Sequence, residues 1–149
     1  MEDKKCRNKC GSIAAPGHTR CLFCLANLRK WIQDRNNKRK LNGKCVGCGL
    51  NPPVNGRMCL ECWIGELTSL GLKQPLTDQW NKQEGRCFYT GERLTPGKNA
   101  SLDHQVPTSR GGADSPLNLV WVDKTVNRMK TDMNHEEFIK TCRLIADRF

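Results

Sequence analysis

Aromatic residues are scarce in this chain: four tryptophans, four phenylalanines and one tyrosine make up 6% of 149 residues. With few rings interleaved among the basic residues, a surface that stacks the bases of a single strand is disfavoured. Long apolar runs are also missing. Nothing approaches the length of a membrane span, and the charged opening Met1-Glu-Asp-Lys-Lys is unlike a secretory leader. A cytoplasmic protein is expected, with no membrane partner. Acidic residues are in deficit, 15 Asp and Glu against 25 Lys and Arg, which leaves a formal charge of +10. Histidine occurs three times.

Cysteine is what the chain has in excess, with 10. In a reducing compartment paired cysteines are metal ligands more often than disulfides. The length suits one domain, yet the sequence reads as three short units: 1–44, 45–75 and 76–149. None could bury much of a core alone, and units this small generally need metal support.

The first two units form an internal repeat. Cys6 and Cys10-Gly11 precede Cys21-Leu-Phe-Cys24, and Cys45-Val-Gly-Cys48-Gly49 precedes Cys59-Leu-Glu-Cys62. An offset of 38 residues carries Cys21 to Cys59 and Cys24 to Cys62. In each copy a short Pro/Gly connection follows the first pair, and the second pair opens a helix-like run. A knuckle ending in Cys-Gly, a hairpin, and Cys-x-x-Cys at a helix start make a four-thiolate zinc site of the treble-clef kind. A lone Cys-x-x-Cys would suit redox chemistry; a repeated fourfold set does not. His18 falls near the first set, but its counterpart is Gly56, so it is read as a loop residue.

Charge is uneven along the chain. Residues 1–44 hold 12 basic against 3 acidic residues, 45–84 hold 3 against 4, and 85–149 hold 10 against 8. A helix over about Leu22 to Asn36 would place Leu25, Leu28 and Ile32 on one face. Arg29, Lys30 and Arg35 would then be exposed, with Lys38-Arg39-Lys40 following in a polar stretch. Such a cluster suits the phosphates of double-stranded DNA, although a solvated surface is the commoner reading of any one basic run. A second helix is expected over about Leu60 to Leu70, a linker at Gly71 to Gln74, and a helix from Pro75 to near Gly85 whose Trp80 packs on the last unit.

The chemistry concentrates between Ala100 and Met133. Ser101 to Asp103 is a short β-prone run ending on Asp103-His104. A polar loop with Gly111, Gly112 and Pro116 follows and closes at Asn118. Leu119 to Val122 reads as a strand, and Asp123 can cap a helix bearing Val126, Asn127 and Lys130. Asp103 and Asn127 offer hard oxygen ligands of the kind that hold Mg²⁺ or Mn²⁺. A neutral imidazole such as His104 can take a proton from water near neutral pH.

Asp-His, then Asn118 and Asn127 at 14 and 23 positions after His104, resembles the HNH nuclease motif in its His-Asn-Asn form. The spacing is similar to that of the HNH domain of RNA-guided DNA-cleaving effectors, and the resemblance covers about Leu76 to Phe149. It implies a ββα-metal nuclease module, so that with the two treble-clef-like zinc units read from the cysteine repeat the chain is expected to be a small α+β, metal-stabilised protein. It also implies phosphodiester hydrolysis with one divalent ion: His104 as general base, Asp103 and Asn127 as metal ligands, and Asn118 bracing the loop and holding the His104 ring. Many family members carry His where this chain has Asn127, which favours Mg²⁺ over softer metals. Arg110, Arg128 and Lys130 would then meet phosphates near the cut. The general plan is that of phage and homing-type endonucleases. A single site cuts one strand at a time, so a monomer would nick and a homodimer could cut both strands; the sequence does not choose. A non-catalytic zinc-dependent DNA-binding regulator with a degenerate nuclease fold, and an RNA-binding zinc protein, remain as other classes.

Cys87 and Gly91 align with Cys45 and Gly49, with Thr90 where Cys48 would stand, so the nuclease unit is expected to be a third, zinc-free knuckle. Asn134 and Glu137 form an N-cap for a last helix in which Phe138, Cys142 and Ile145 share an apolar face. His135 is read as exposed. Elemental analysis of the purified protein should accordingly find two zinc ions per chain, with Cys87 and Cys142 outside the metal sites; three ions would break this partition of the cysteines.

Overall fold

The structure, a computed structural model, describes residues 5–8, 10–68 and 71–149. Among these residues five α-helices and a two-stranded sheet occur in the order α1 (Leu22–Leu41), α2 (Leu60–Leu67), α3 (Lys73–Lys82), β1 (Ala100–His104), β2 (Leu119–Asp123), α4 (Lys124–Lys130) and α5 (His135–Ala146), with a 3-10 turn at Thr108–Arg110 between the strands. No helix among the described residues is long and apolar enough to cross a membrane.

The expected strand, loop, strand, helix succession is present. β1 and β2 pair antiparallel with His104 opposite Leu119 and Ala100 opposite Asp123. β2 is buried over Leu119–Val122 on both faces rather than alternating, which is why Leu-Val-Trp-Val is continuously apolar. Asp123 caps α4 by accepting the Thr125 N–H at 2.7 Å. The Asn134–Glu137 capping box opens α5.

A two-stranded sheet has two open edges, and each is closed by side chains. On the β2 edge the Gln83 side chain exchanges hydrogen bonds with Trp121, donating to its carbonyl (2.9 Å) and accepting its N–H (3.1 Å). Gln79 Nε2 donates to the Leu119 carbonyl, and Phe88 N–H adds a second bond to the Trp121 carbonyl. On the β1 edge Asn127 donates to the Leu102 carbonyl and Lys130 to the His104 carbonyl. These partners satisfy backbone groups that burial would otherwise make costly.

Three tryptophans join segment 45–75 to segment 76–149. Trp63 of α2, Trp80 of α3 and Trp121 of β2 meet with ring centroids 5.1–5.8 Å apart, and Trp121 Nε1 donates to the Leu76 carbonyl at 2.9 Å. Cys45, Met58, Cys59 and Ile64 lie in the same buried cluster as Leu94, Ala100 and Val122. Segments 45–75 and 76–149 therefore share one core. The expected linker at Gly71–Gln74 is corrected accordingly: α3 starts at Lys73 and takes Pro75 into its first turn, where a missing N–H costs nothing. The second helix ends at Leu67; Ser69 and Leu70, to which the sequence reading extended it, lie outside the described residues.

Cys6, Cys21 and Cys24 form a separate small cluster. α1 continues five residues past the expected end at Asn36, to Leu41. Gly43 (φ +64°) donates to the Lys40 carbonyl and Lys44 to the Arg39 carbonyl, closing the helix in a Schellman motif, and Lys38, Arg39 and Lys40 in the last turn oppose its dipole. Only Cys24 of α1 is buried; Leu25, Leu28 and Ile32 are half-buried, while Phe23 and Trp31 are exposed.

Other expectations shift in detail. Cys87 is buried and its Sγ accepts the Asp123 N–H at 3.3 Å, so it is a shielded thiol. Ile145 is exposed, leaving Phe138 as the buried anchor of α5. His135 is half-buried, not exposed: it stacks on Tyr89 at 5.6 Å, and its backbone N–H donates to the Gln105 carbonyl.

Trp121→Ala should cost about 3–5 kcal/mol, read as a lower urea midpoint of the zinc-loaded protein. A change under about 1 kcal/mol would show that the shared core does not depend on this ring.

Candidate active site

β1 brings Asp103 and His104 to the end of the sheet. Successive strand residues face opposite sides, so Asp103 turns with Ser101 toward α4 and is buried, while His104 is half-buried on the other side. At the strand end the two sides meet in a cavity of about 350 Å³ lined by Asp103, His104 and Asn127, with Pro107–Ser109 and Thr131–Asp132 opposite. Three of the four sequence-assigned residues are thus brought together.

Asn127 reaches this place because α4 runs beside the free edge of β1. Its Nδ2 donates to Ser101 Oγ and to the Leu102 carbonyl, both at 3.0 Å. Among the described residues nothing donates to its Oδ1. Thr131, which ends α4 at φ 52°, lines the same cavity; a β-branched residue there carries about 1–3 kcal/mol of backbone strain.

Asn118 does not touch His104, which corrects its assignment as the holder of that ring. Its Oδ1 accepts the Val106 N–H, and its Nδ2 donates to the Val106 and Ala113 carbonyls, all at 2.9 Å. It braces both ends of the loop, and its backbone carbonyl accepts the Gln105 N–H next to His104. Its influence on the imidazole is through the loop. Gly112 belongs to this brace, since a Cβ there would overlap the Val106 carbonyl and press on the Asn118 amide.

Lys130 is also corrected. Expected on the surface as a phosphate contact, it is fully buried. Its Nζ donates to the His104 carbonyl at 2.7 Å and to Asp103 Oδ1 at 3.2 Å, with Oδ2 also at 3.2 Å. Burial pushes the Asp103 carboxyl up, and the Lys130 ammonium opposes that shift. The signal available in sequence was spacing: Lys130 lies three positions after Asn127, on the same helix face.

Two buried atoms at this site have no hydrogen-bond partner, Asp103 Oδ2 and His104 Nε2. The nearest carboxylate to His104 Nε2 is Asp114 Oδ1 at 3.4 Å, a residue the sequence reading did not select. Native proteins rarely leave such atoms without a ligand, water or ion. Carboxylate and amide oxygens fit a hard divalent cation better than a soft one.

The two cysteine sets converge as expected. Cys6, Cys10, Cys21 and Cys24 form one cluster and Cys45, Cys48, Cys59 and Cys62 the other, with the sulfurs of each set within 4.8 Å of one another. The separations Cys10–Cys21 and Cys10–Cys24 are 3.6 Å and Cys48–Cys59 is 3.8 Å. Zinc–sulfur bonds of about 2.3 Å in a tetrahedron require sulfurs about 3.8 Å apart, so the spacing suits zinc. The backbone N–H of Ser12 and the neighbouring thiols bring Cys10 down to about 6, whereas hydrogen bonds with Cys10 and Cys21 push Cys24 up to about 12. Burial raises Cys45, but backbone N–H groups of Cys59 and Cys48 overcome it and bring the thiol to about 6. Burial also pushes Cys62 up to about 12. Each cluster thus divides into thiols that ionise readily and thiols that resist, Cys45 and Cys48 against Cys59 and Cys62 in the second, as crowded sulfurs must unless a dication neutralises them.

The basic residues divide. Arg29, Lys30, Lys38 and Lys40 are exposed on α1, and Arg128 is exposed on α4. Arg35 lies over the Trp31 ring at 4.9 Å. Arg110 pairs with Glu137 at 2.7 Å; the Asn134 N–H and this guanidinium hold the Glu137 carboxyl below its ordinary range. Arg39 is corrected from a phosphate contact to a strut, because its Nη1 donates to the Val46 and Gly47 carbonyls at 2.8 and 2.9 Å. The guanidinium lies where a Cβ on Gly49 (φ +75°) would be.

Beyond its geometry, the site falls within a known family's span. Residues 87–134 match the model of the HNH endonuclease family, a span that contains Asp103, His104, Asn118 and Asn127. The match is narrower than the span from Leu76 to Phe149 inferred from the motif. No curated protein matches the chain.

Asn118→Ala should destabilise the loop by about 1–3 kcal/mol through the backbone groups it orphans. Amide exchange at Val106 should then accelerate at least about tenfold. An unchanged rate would show that the loop is held by other interactions.

Proposed function

We propose that the chain is a divalent-metal-dependent DNA endonuclease in which His104 is the general base. The observation that carries this reading is the convergence on one cavity, with Asn127, of two buried atoms that make no hydrogen bond, Asp103 Oδ2 and His104 Nε2, each with one charged neighbour, Lys130 at 3.2 Å and Asp114 at 3.4 Å. Asp103 and Asn127 would hold Mg²⁺ or Mn²⁺. When bound, such an ion neutralises charge on the phosphate and on the departing oxygen. His104 Nε2 takes a proton as the water oxygen bonds to phosphorus, and the bond to the 3′ oxygen breaks. Asn118 and Gly112 keep the loop beside His104 in place. Lys130 pins the His104 carbonyl and the Asp103 carboxylate, and so fixes the backbone on which both reacting side chains stand.

Two structural zinc ions complete the cofactor set, one per cysteine cluster, and need the reduced thiols of a cytoplasm. The knuckles support the treble-clef reading. In each of the last two, the glycine N–H donates to the carbonyl four residues earlier, Gly49 to Cys45 and Gly91 to Cys87. Where Cys48 Sγ accepts the Leu50 N–H, Thr90 Oγ1 accepts that of Glu92. The third knuckle is thus the second with a hydroxyl in place of a thiolate.

Double-stranded DNA is the substrate this reading favours, with Arg29, Lys30, Lys38 and Lys40 along α1 meeting phosphates. A phage-encoded or homing-type enzyme would combine such parts. The alternative, a DNA-binding regulator without activity, is favoured by one observation: Asp103 is already paired with Lys130.

Supercoiled plasmid separates the two. The wild-type protein should relax or linearise it when Mg²⁺ or Mn²⁺ is added and not in its absence, and His104→Ala should lose about 10²–10⁴ in rate while keeping zinc and DNA binding. Undiminished cleavage by His104→Ala would remove the imidazole from the mechanism. Asp103→Ala and Asn127→Ala should instead need higher metal concentrations for half-maximal cleavage; an unshifted metal titration would place the ion elsewhere.

A further inference from the structure

The catalytic cavity does not end at His104. A second hollow, of about 470 Å³, is lined by Trp63, Gly97, Ser101, Leu102 and Lys124, and shares Leu102 with the catalytic cavity. A third, of about 610 Å³, lies between the Val54–Met58 loop of the second zinc unit and the Thr95–Lys98 turn, and shares Trp63 and Gly97 with the second. Through these shared residues the three hollows follow one another along the surface. The middle one follows the seam between α4 and the free edge of β1, because Lys124 and Asn127 are one turn apart on α4 and Asn127 bonds Ser101 and Leu102.

Charge along the second and third hollows is of one sign except at a single place. Arg57, Lys98 and Lys124 line them and are exposed. Among the described residues that line the two outer hollows, Glu66 is the one carboxylate. It lies 3.7 Å from Arg57 with both side chains more than half exposed, a solvated pair of little strength that a phosphate could displace. Gly97 (φ +76°) keeps the turn low against Asn55, with no side chain standing in the passage. Segment 45–84 carries only 3 basic residues, and the fold brings one of them, Arg57, into line with two cations of the nuclease unit.

We propose that these hollows form a groove that holds the stretch of nucleic-acid strand flanking the scissile phosphate, with Arg57, Lys98 and Lys124 contacting successive phosphates. The second zinc unit is then part of the substrate-binding surface as well as of the core. Long, exposed cationic stems position a backbone and do not read bases, so the interaction is independent of sequence. The proposal rests on the nuclease reading for its orientation toward His104, but its electrostatic content is testable without cleavage.

The test uses the full-length, zinc-loaded protein and a 20-base-pair duplex of arbitrary sequence, without added Mg²⁺ or Mn²⁺. Binding is measured against salt for wild type, for the triple variant Arg57→Ala/Lys98→Ala/Lys124→Ala, and for a control carrying Lys82→Ala/Lys140→Ala/Arg148→Ala. Zinc content and circular dichroism check that each variant is folded. The groove variant should lower the slope of log K against log salt by about 2–3, at about 0.9 for each phosphate no longer neutralised, with the control near wild type. With added Mg²⁺, shortening the duplex on one side of the cut should raise KM for wild type and leave the groove variant indifferent. Equal slopes in wild type and groove variant, or equal losses in groove variant and control, would overturn the proposal. Loss of slope in the groove variant alone, with no cleavage by wild type, would support the groove while removing the nuclease reading.

Discussion

A two-stranded sheet cannot satisfy its own backbone. Each strand pairs on one side and turns a row of carbonyl and N–H groups outward, and in a small buried sheet those groups need partners from elsewhere. The site follows from how this need is met. Gln83, with Gln79 and Phe88, closes the β2 edge and ties α3 to the sheet. On the β1 edge the same task falls to Asn127 and Lys130 of α4, which sets an amide and an ammonium beside Asp103 and His104. Residues that finish the sheet are therefore the residues that surround the candidate site, and neither role can be altered alone.

The parts legible in the sequence were those whose signal is local or repeated. Two cysteine sets at a constant offset announce their clusters whatever surrounds them. Asp123 and Asn134 declare helix starts through hydrogen bonds to their own neighbours. Asp103, His104 and Asn127 were recognisable together because one strand end and one helix turn suffice to gather them.

What escaped depends on long-range partners. Lys130 resembles any lysine near the end of a helix; its burial follows from a carboxylate and a carbonyl 27 and 26 positions away. Arg39 was grouped with its basic neighbours, yet it lies over a glycine whose missing side chain leaves room for it. Asn118 was assigned to His104 when its amide is fully occupied by the loop it closes. The end of α1 was misplaced for a simpler reason: the polar stretch after Asn36 was set outside the helix, whereas Gly43 supplies the backbone conformation that ends it.

Cys45 and Cys59 lie in the same buried cluster as Trp121 and Val122, and this affects how chelation experiments are interpreted. An ion in the second cysteine cluster would stabilise the sheet that carries Asp103 and His104, although it would not be at the cavity they line. With the divalent ion proposed above in place, a strong chelator would act on both places at once, and a loss of cleavage in its presence would say nothing about which ion was removed. The first cluster is separate from that core, so stepwise metal loss would leave two different proteins: one with a loosened basic helix and an intact sheet, the other with both undone.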